Sequence, residues 1–169
     1  MLQVKYVTGR DKSQKMLNGK SANLNFCLTK LYPDVVDPEN PDELMKIPVN
    51  ELMCLFDADQ TCSKGFFVTM LRYIDSGDDV GVALSPQLMY NVIPDCDVFN
   101  HQNVHFWEMM QPGMDALGFI SLTGTNMILR ARALHQAGWF PMNSVTEDWA
   151  LGMRFKKLGY RCRYVNVCS

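Results

Sequence analysis

The segment Leu52-Met53-Cys54-Leu55-Phe56 is a short apolar run that ends directly on Asp57-Ala58-Asp59, and an amphipathic stretch from Lys64 to Ile74 follows it. A buried strand, an acidic turn and a helix in that order constrain the fold more than any other part of the chain. Open α/β sheets carry their ligands outside the carboxyl ends of the strands. In an extended chain, side chains two residues apart aim to the same side, with Cα atoms roughly 6–7 Å apart. Asp57 and Asp59 therefore suit a hard divalent cation and the phosphates it carries, since Mg²⁺ takes oxygen ligands and is often held by one or two carboxylates. The same three residues also read as a solvated turn after a strand.

The rest of the chain continues the alternation. Val4 to Thr8 has the β-branched and aromatic content of a strand. Ser21 to Leu31 places Leu24, Cys27, Leu28 and Leu31 at helical spacing. Tyr32 to Pro48 holds four prolines and five acidic residues, a surface loop. Val80 to Leu88 reads as a strand, Val104 to Met110 as a helix ended by Pro112-Gly113, and Thr125 to Leu129 as a strand. Ala131 to Ala137 reads as a short helix. Glu147 to Leu158 is a helix with Thr146 at its N-cap and Gly159 at its stop, and Tyr160 to Val167 is a last strand. This order predicts an α/β sheet with both faces covered. It starts and stops abruptly for a nucleotide-binding α/β domain, which leads to the expectation of a piece of a larger protein.

Composition narrows the partners. With 169 residues, 47% hydrophobic and 20% charged, the chain fits one globular domain. A net charge of −2 offers no general attraction to nucleic acid or an anionic membrane. Six cysteines form no C-x-x-C pair, three of them lie in apolar runs as buried free thiols do, and no N-x-S/T site occurs, which favours a reducing compartment. No stretch reaches the ~20 apolar residues of a spanning helix. His101 and His105 stand four apart, but Gln102 occupies the place of the Glu in H-E-x-x-H, so zinc is not expected.

Three further clusters accompany the D-x-D. Asn18-Gly19-Lys20-Ser21-Ala22-Asn23-Leu24-Asn25 puts a lysine and small residues at a helix start, where free N–H groups can meet a diphosphate. Its Gly19-Lys20-Ser21 lacks the first glycine of a P-loop, a position held by Gln14. Leu122-Thr123-Gly124-Thr125-Asn126 is a turn of small residues. Thr146-Glu147-Asp148-Trp149 opens a helix with adjacent acids, which serve either as a cap for the helix dipole or as a carboxylate aimed into a cleft as general base.

Taken in order, these clusters resemble the processive family-2 glycosyltransferases: cellulose synthases, cellulose-synthase-like proteins and, more distantly, chitin and hyaluronan synthases. The resemblance runs from about Tyr6 to the C-terminus. Lys20-Ser21-Ala22-Asn23-Leu24-Asn25 is similar to the family's K-A-G-x-L-N, although Ser21, Ala22 and Asn23 depart from its small residues. Asp57-Ala58-Asp59 matches its D-x-D, Gly124-Thr125-Asn126 its acceptor-side turn, and Thr146-Glu147-Asp148 its T-E-D. The resemblance implies a Rossmann-like nucleotide-diphospho-sugar transferase fold of the GT-A type, with a mixed, mostly parallel sheet. It implies one partial catalytic domain over residues 1–169, incomplete at both ends.

It further implies a UDP-sugar donor, a growing β-linked polysaccharide as acceptor, and Mg²⁺ or Mn²⁺ on Asp59 with Asp57 beside it. Lys20 is implied on the diphosphate and Asp148 as the base of an inverting transfer. Gly124, Thr125, Asn126, Glu147 and Trp149 fall on the acceptor side, with Phe106, Trp107 and Trp149 as sugar-stacking candidates. The family's uracil-reading Asp belongs upstream, and its acceptor-stacking Q-x-x-R-W and membrane helices downstream. The expectation is thus a membrane parent whose domain faces the cytosol, with the fragment alone inactive. The rival reading from Phe56-Asp57-Ala58-Asp59-Gln60-Thr61 is a haloacid-dehalogenase-like phosphatase with Asp57 as nucleophile. A non-catalytic nucleotide-sugar-binding module is the third.

Overall fold

The computed structural model describes residues 6–7, 19–35, 37 and 40–166. The expected first strand at Val4–Thr8 lies largely outside them. Helix α1 spans Gly19–Leu31, strand β1 Leu52–Leu55, helix α2 Phe66–Ile74 and strand β2 Val80–Leu84. Helix α3 covers Gln111–Ala116, strand β3 Met127–Arg130, helix α4 Ala131–Gln136, helix α5 Glu147–Lys157 and strand β4 Arg161–Tyr164.

The four strands form one mixed sheet in the order β1-β3-β2-β4. β1, β2 and β4 run the same way, and β3 lies reversed between β1 and β2, with Met127 opposite both Leu55 and Leu84. Every residue of β2 is buried, as its unbroken apolar sequence requires of a strand covered on both faces. The β2–β4 register slips between Val80 and Val82. This bulge shifts the alternation, so that Val82 and Leu84 pack with one core and Val80 and Ala83 with the other. Gly81 sits at the slip because a Cβ there would lie 3.1 Å from the Cβ of Tyr160.

One face of the sheet packs Leu28 of α1, Leu134 of α4 and Leu151 and Phe155 of α5 against Met127, Leu129 and Tyr164. The other face is smaller and belongs to α2, whose Phe66, Met70 and Ile74 cover Ile128 and Val80. Both faces are therefore covered, as the alternation of elements predicts.

Three local expectations need correction. Pro112-Gly113 does not end the helix begun near Val104: residues His105–Met110 form a π-helix that runs straight into α3. Pro112 falls in the first turn of α3, where the missing N–H costs nothing. The loop from Tyr32 is not all surface, because Val35 and Ile47 are buried beside a 3₁₀ turn at Pro41–Lys46. Of the cysteines in apolar runs, Cys162 is buried, whereas Cys54 is exposed on β1, the outermost strand among the described residues. The five described cysteines are free thiols. No described helix is long and apolar enough to cross a membrane.

Candidate active site

The site forms where β1 ends. The chain leaves Leu55 through Phe56 and closes a turn in which the Gln60 N–H donates to the Asp57 carbonyl at 3.1 Å. The turn is pinned by Thr125, whose Oγ1 accepts from the Asp57 N–H at 2.9 Å and donates to Gln60 Oε1 at 2.9 Å. Thr125 is fully buried, so it supports the acidic turn from beneath instead of facing a ligand.

Lys20 stands at the second position of α1 and donates from Nζ to Asp57 Oδ1 at 2.7 Å. Helix α1 is held in place by Asn25, whose Nδ2 donates to the Phe140 carbonyl at 2.8 Å while its Oδ1 accepts the Phe140 N–H at 3.0 Å. Both partners of the Lys20–Asp57 pair are more than a third exposed, at 37% and 39%. Such a pair adds little to stability. Its charges remain open to a ligand.

Gly124 brings the third charge in. It has φ +72°, and a Cβ placed there would lie 3.2 Å from Lys20 Nζ and 3.4 Å from Asp148 Oδ2. Lys20, Asp57 and Asp148 thus meet around a backbone that only glycine adopts without strain. Asp148, at the second position of α5, is half-buried, and its Oδ1 accepts the Trp149 N–H at 2.7 Å. Burial pushes its carboxyl above the ordinary aspartate value, and the neighbouring Glu147 adds to this, against the Trp149 N–H and the more distant Lys20 charge. Thr146 occupies the N-cap of α5, but its side chain makes no capping bond, which corrects the expected cap.

The other sequence candidates scatter. The turn at Asp57–Gln60 replaces the extended run that was to aim both carboxylates alike: Asp57 meets Lys20, while Asp59 is exposed on a cavity toward α2. Asn126, with φ +52°, lines that cavity too. Glu147 is buried. Trp149 is 42% exposed and meets Phe119 edge-on, with centroids 5.5 Å apart. Trp107 is buried and stacked on Tyr164, so it belongs to the core, while the partly buried Phe106 lies against its edge.

Among the described residues, no group of three or more His, Cys, Asp and Glu gathers as a metal site. A cation that arrives with phosphates and keeps water needs only one or two carboxylates and no protein cage, which the exposed Asp59 suits. Sequence reasoning missed Gln111, whose Nε2 donates to the Ser121 carbonyl at 2.6 Å and whose Oε1 accepts the Ser121 N–H at 3.0 Å. This fully buried amide clamps the irregular segment leading to Gly124. A lone Gln beside Pro carries no periodic signal that would have marked it.

The sequence model of glycosyl transferase family group 2 matches residues 53–168. The chain belongs to this family. The family-2 domain is 35% identical over 118 residues to a UDP-forming cellulose synthase catalytic subunit from Dictyostelium discoideum, covering 69% of this chain and 11% of that protein. It is 23% identical over 134 residues to a UDP-forming cellulose synthase catalytic subunit from Pseudomonas fluorescens (strain SBW25), covering 76% of this chain and 18% of that protein. The chain therefore spans well under a quarter of either relative. The mixed sheet with helices on both faces is consistent with the nucleotide-sugar transferase fold of such enzymes, and the phosphatase alternative is not favoured.

Proposed function

We propose that this family-2 domain carries the donor site and general base of an inverting transfer from a UDP-sugar to a β-linked polysaccharide. The observation that supports it best is the meeting of Lys20, Asp57 and Asp148 around Gly124, one cation and two carboxylates in unlike surroundings. Both relatives are cellulose synthases that form UDP, which agrees with that donor and product.

In this reading the Lys20 ammonium takes phosphate oxygens of the donor as a compact point charge. Asp59 would hold Mg²⁺ or Mn²⁺, with phosphate oxygens and water as its other ligands, while Asp57 stays paired with Lys20 beside the same phosphates. The bound cation supplies Lewis-acid stabilisation of the charge that develops on the leaving diphosphate. Asp148 accepts the proton of the acceptor hydroxyl as that oxygen bonds to C1 of the sugar. The C1–phosphate oxygen bond breaks with its electron pair leaving on UDP, and the configuration at C1 inverts. A raised carboxyl value suits Asp148 to this role, since a base works best when its pKa lies near the working pH. Attachment of the parent protein to a membrane, through segments outside this chain, belongs to the same proposal.

Calorimetric titration of UDP with Mn²⁺, repeated with EDTA, tests the donor assignment. Metal-dependent binding should vanish in Asp59→Ala and persist in Asp148→Ala. Absence of any UDP binding to the folded protein sinks the reading.

A further inference from the structure

Strand β1 and the segment that enters α2 each carry an exposed free thiol, with the acidic turn between them. Cys54 is exposed on β1, and Cys62 is exposed just beyond Gln60. Both lie on the α2 face of the sheet. Cys54 is opposite Ile128 in the β1–β3 register, and directly opposed residues of an antiparallel pair share a face. Ile128 belongs to the core under α2, and Leu52 and Phe56, two positions to either side of Cys54, pack against that core. Cys62 lines the cavity on this face beside Phe56 and Phe66, whose ring centroids are 5.1 Å apart. The turn closed by the Gln60 N–H on the Asp57 carbonyl reverses the chain and carries Cys62 back toward the end of β1.

We propose that Cys54 and Cys62 are a dithiol modification site, oxidised by low-molecular-weight disulfides to a bridge that closes the loop holding Asp57 and Asp59. The proposal does not depend on the donor assignment at Lys20, Asp57 and Asp148. Desolvation pushes the Cys54 thiol up to about 11, and the nearby Cys62 adds to the rise. The thiolate is the attacking species in disulfide exchange, so Cys54 acts second. The Cys62 thiolate attacks one sulfur of glutathione disulfide, whose S–S bond breaks as one glutathione leaves as thiolate. Cys54 then gives its proton to solvent, and its sulfur attacks Cys62 Sγ and expels the second glutathione. Two protein thiols are oxidised to one disulfide while one glutathione disulfide is reduced to two thiols. The bridge ties the end of β1 to the entry of α2 and restricts the turn between them.

The test equilibrates the intact, reduced chain with mixtures of glutathione and glutathione disulfide, once folded and once in urea. Acid quenching, alkylation and tryptic digestion follow. The peptide Ile47–Lys64 holds Cys54 and Cys62 and no other cysteine, so its mass reads the pair directly. The expected product is that peptide short of two hydrogens, without bound glutathione. The ratio of squared glutathione to glutathione disulfide at half-conversion gives the effective concentration of one thiol at the other. It should be at least about tenfold higher in the folded chain than in urea, because the fold holds the two together. Four outcomes overturn the proposal: no loss of the two hydrogens, equal effective concentrations in both conditions, a peptide that keeps two glutathiones, or a link from either thiol to another cysteine. Neither nucleotide nor metal enters the measurement, so its failure and failure of the donor site are read separately.

Discussion

Asp57 and Asp148 are the same side chain brought to one site, Asp148 beside Gly124 and Asp57 through Lys20, and their surroundings differ in nearly every respect. Asp57 ends a strand, is 39% exposed, has its backbone N–H tied to Thr125, and is paired with Lys20 at 2.7 Å. Asp148 opens a helix, is half-buried, has another acid beside it, and lacks so close a cation. A carboxylate matched to an ammonium in partly open solvent offers a polar pair that a ligand can reach. One held in low dielectric next to Glu147 gains from taking a proton. On the proposed reading, environment divides the work between two identical groups, as it does wherever paired carboxylates play unlike roles.

The sharpest way to break this comparison is to neutralise each acid in turn. Asp148→Asn should lower UDP release in the presence of acceptor by about 10²–10⁴-fold, the usual contribution of a positioned base, with UDP binding unchanged. Asp57→Asn should do the reverse, weakening metal-dependent UDP binding first. If Asp148→Asn weakens UDP binding and Asp57→Asn spares it, the roles are exchanged.

The next effect comes from the glycine beside Asp148. Gly124→Ala forces an L side chain into φ +72°, at a cost of about 1–2 kcal/mol. The clash itself is cheaper, because the 3.2 Å neighbour is the flexible tip of Lys20. Urea unfolding should show that loss. Gly113→Ala, where a Cβ meets nothing within 4 Å inside α3, should be neutral or stabilising by up to about 1 kcal/mol. Equal effects at both glycines would mean that the strained backbone at Gly124 is not what gathers the charges.

Much of this arrangement is legible in the sequence, and the exceptions share a cause. Periodicity locates α1, β1, α2, β2, α5 and β4 to within a few residues, because each hides an apolar face that the sequence must encode. The cluster of Lys20, Asp57, Gly124 and Asp148 is legible through motif order. What the pattern does not carry is backbone direction after an element ends. Asp57 and Asp59 part because the chain turns at Gln60, a choice made by the distant Thr125 hydroxyl. The Gln111 clamp on Ser121 likewise rests on a side-chain contact, ten residues away, that periodicity does not encode. Trp107 and Trp149 look alike in the sequence, yet one is stacked on Tyr164 and the other half open, since only the packed sheet decides which helix face is covered.

The smallest effect separates the two causes of the shift at Asp148. Its carboxyl value is raised chiefly by burial and secondarily by Glu147, so the folded chain holds this proton more tightly than the unfolded chain does. Stability from this group is therefore present at acid pH and lost as pH rises through the folded value. Asp148→Asn should then be more favourable to stability at neutral pH than at acid pH. The same proton must leave before Asp148 can act as base, so the acid limb of the kcat/KM profile should lie above the ordinary aspartate range. Glu147→Gln removes one negative neighbour and should move that limb partway down. It should not restore the ordinary position, because the larger cause, burial, is untouched. A limb that returns fully would make Glu147 the dominant influence, and one that does not move at all would mean that the titrating group is not Asp148.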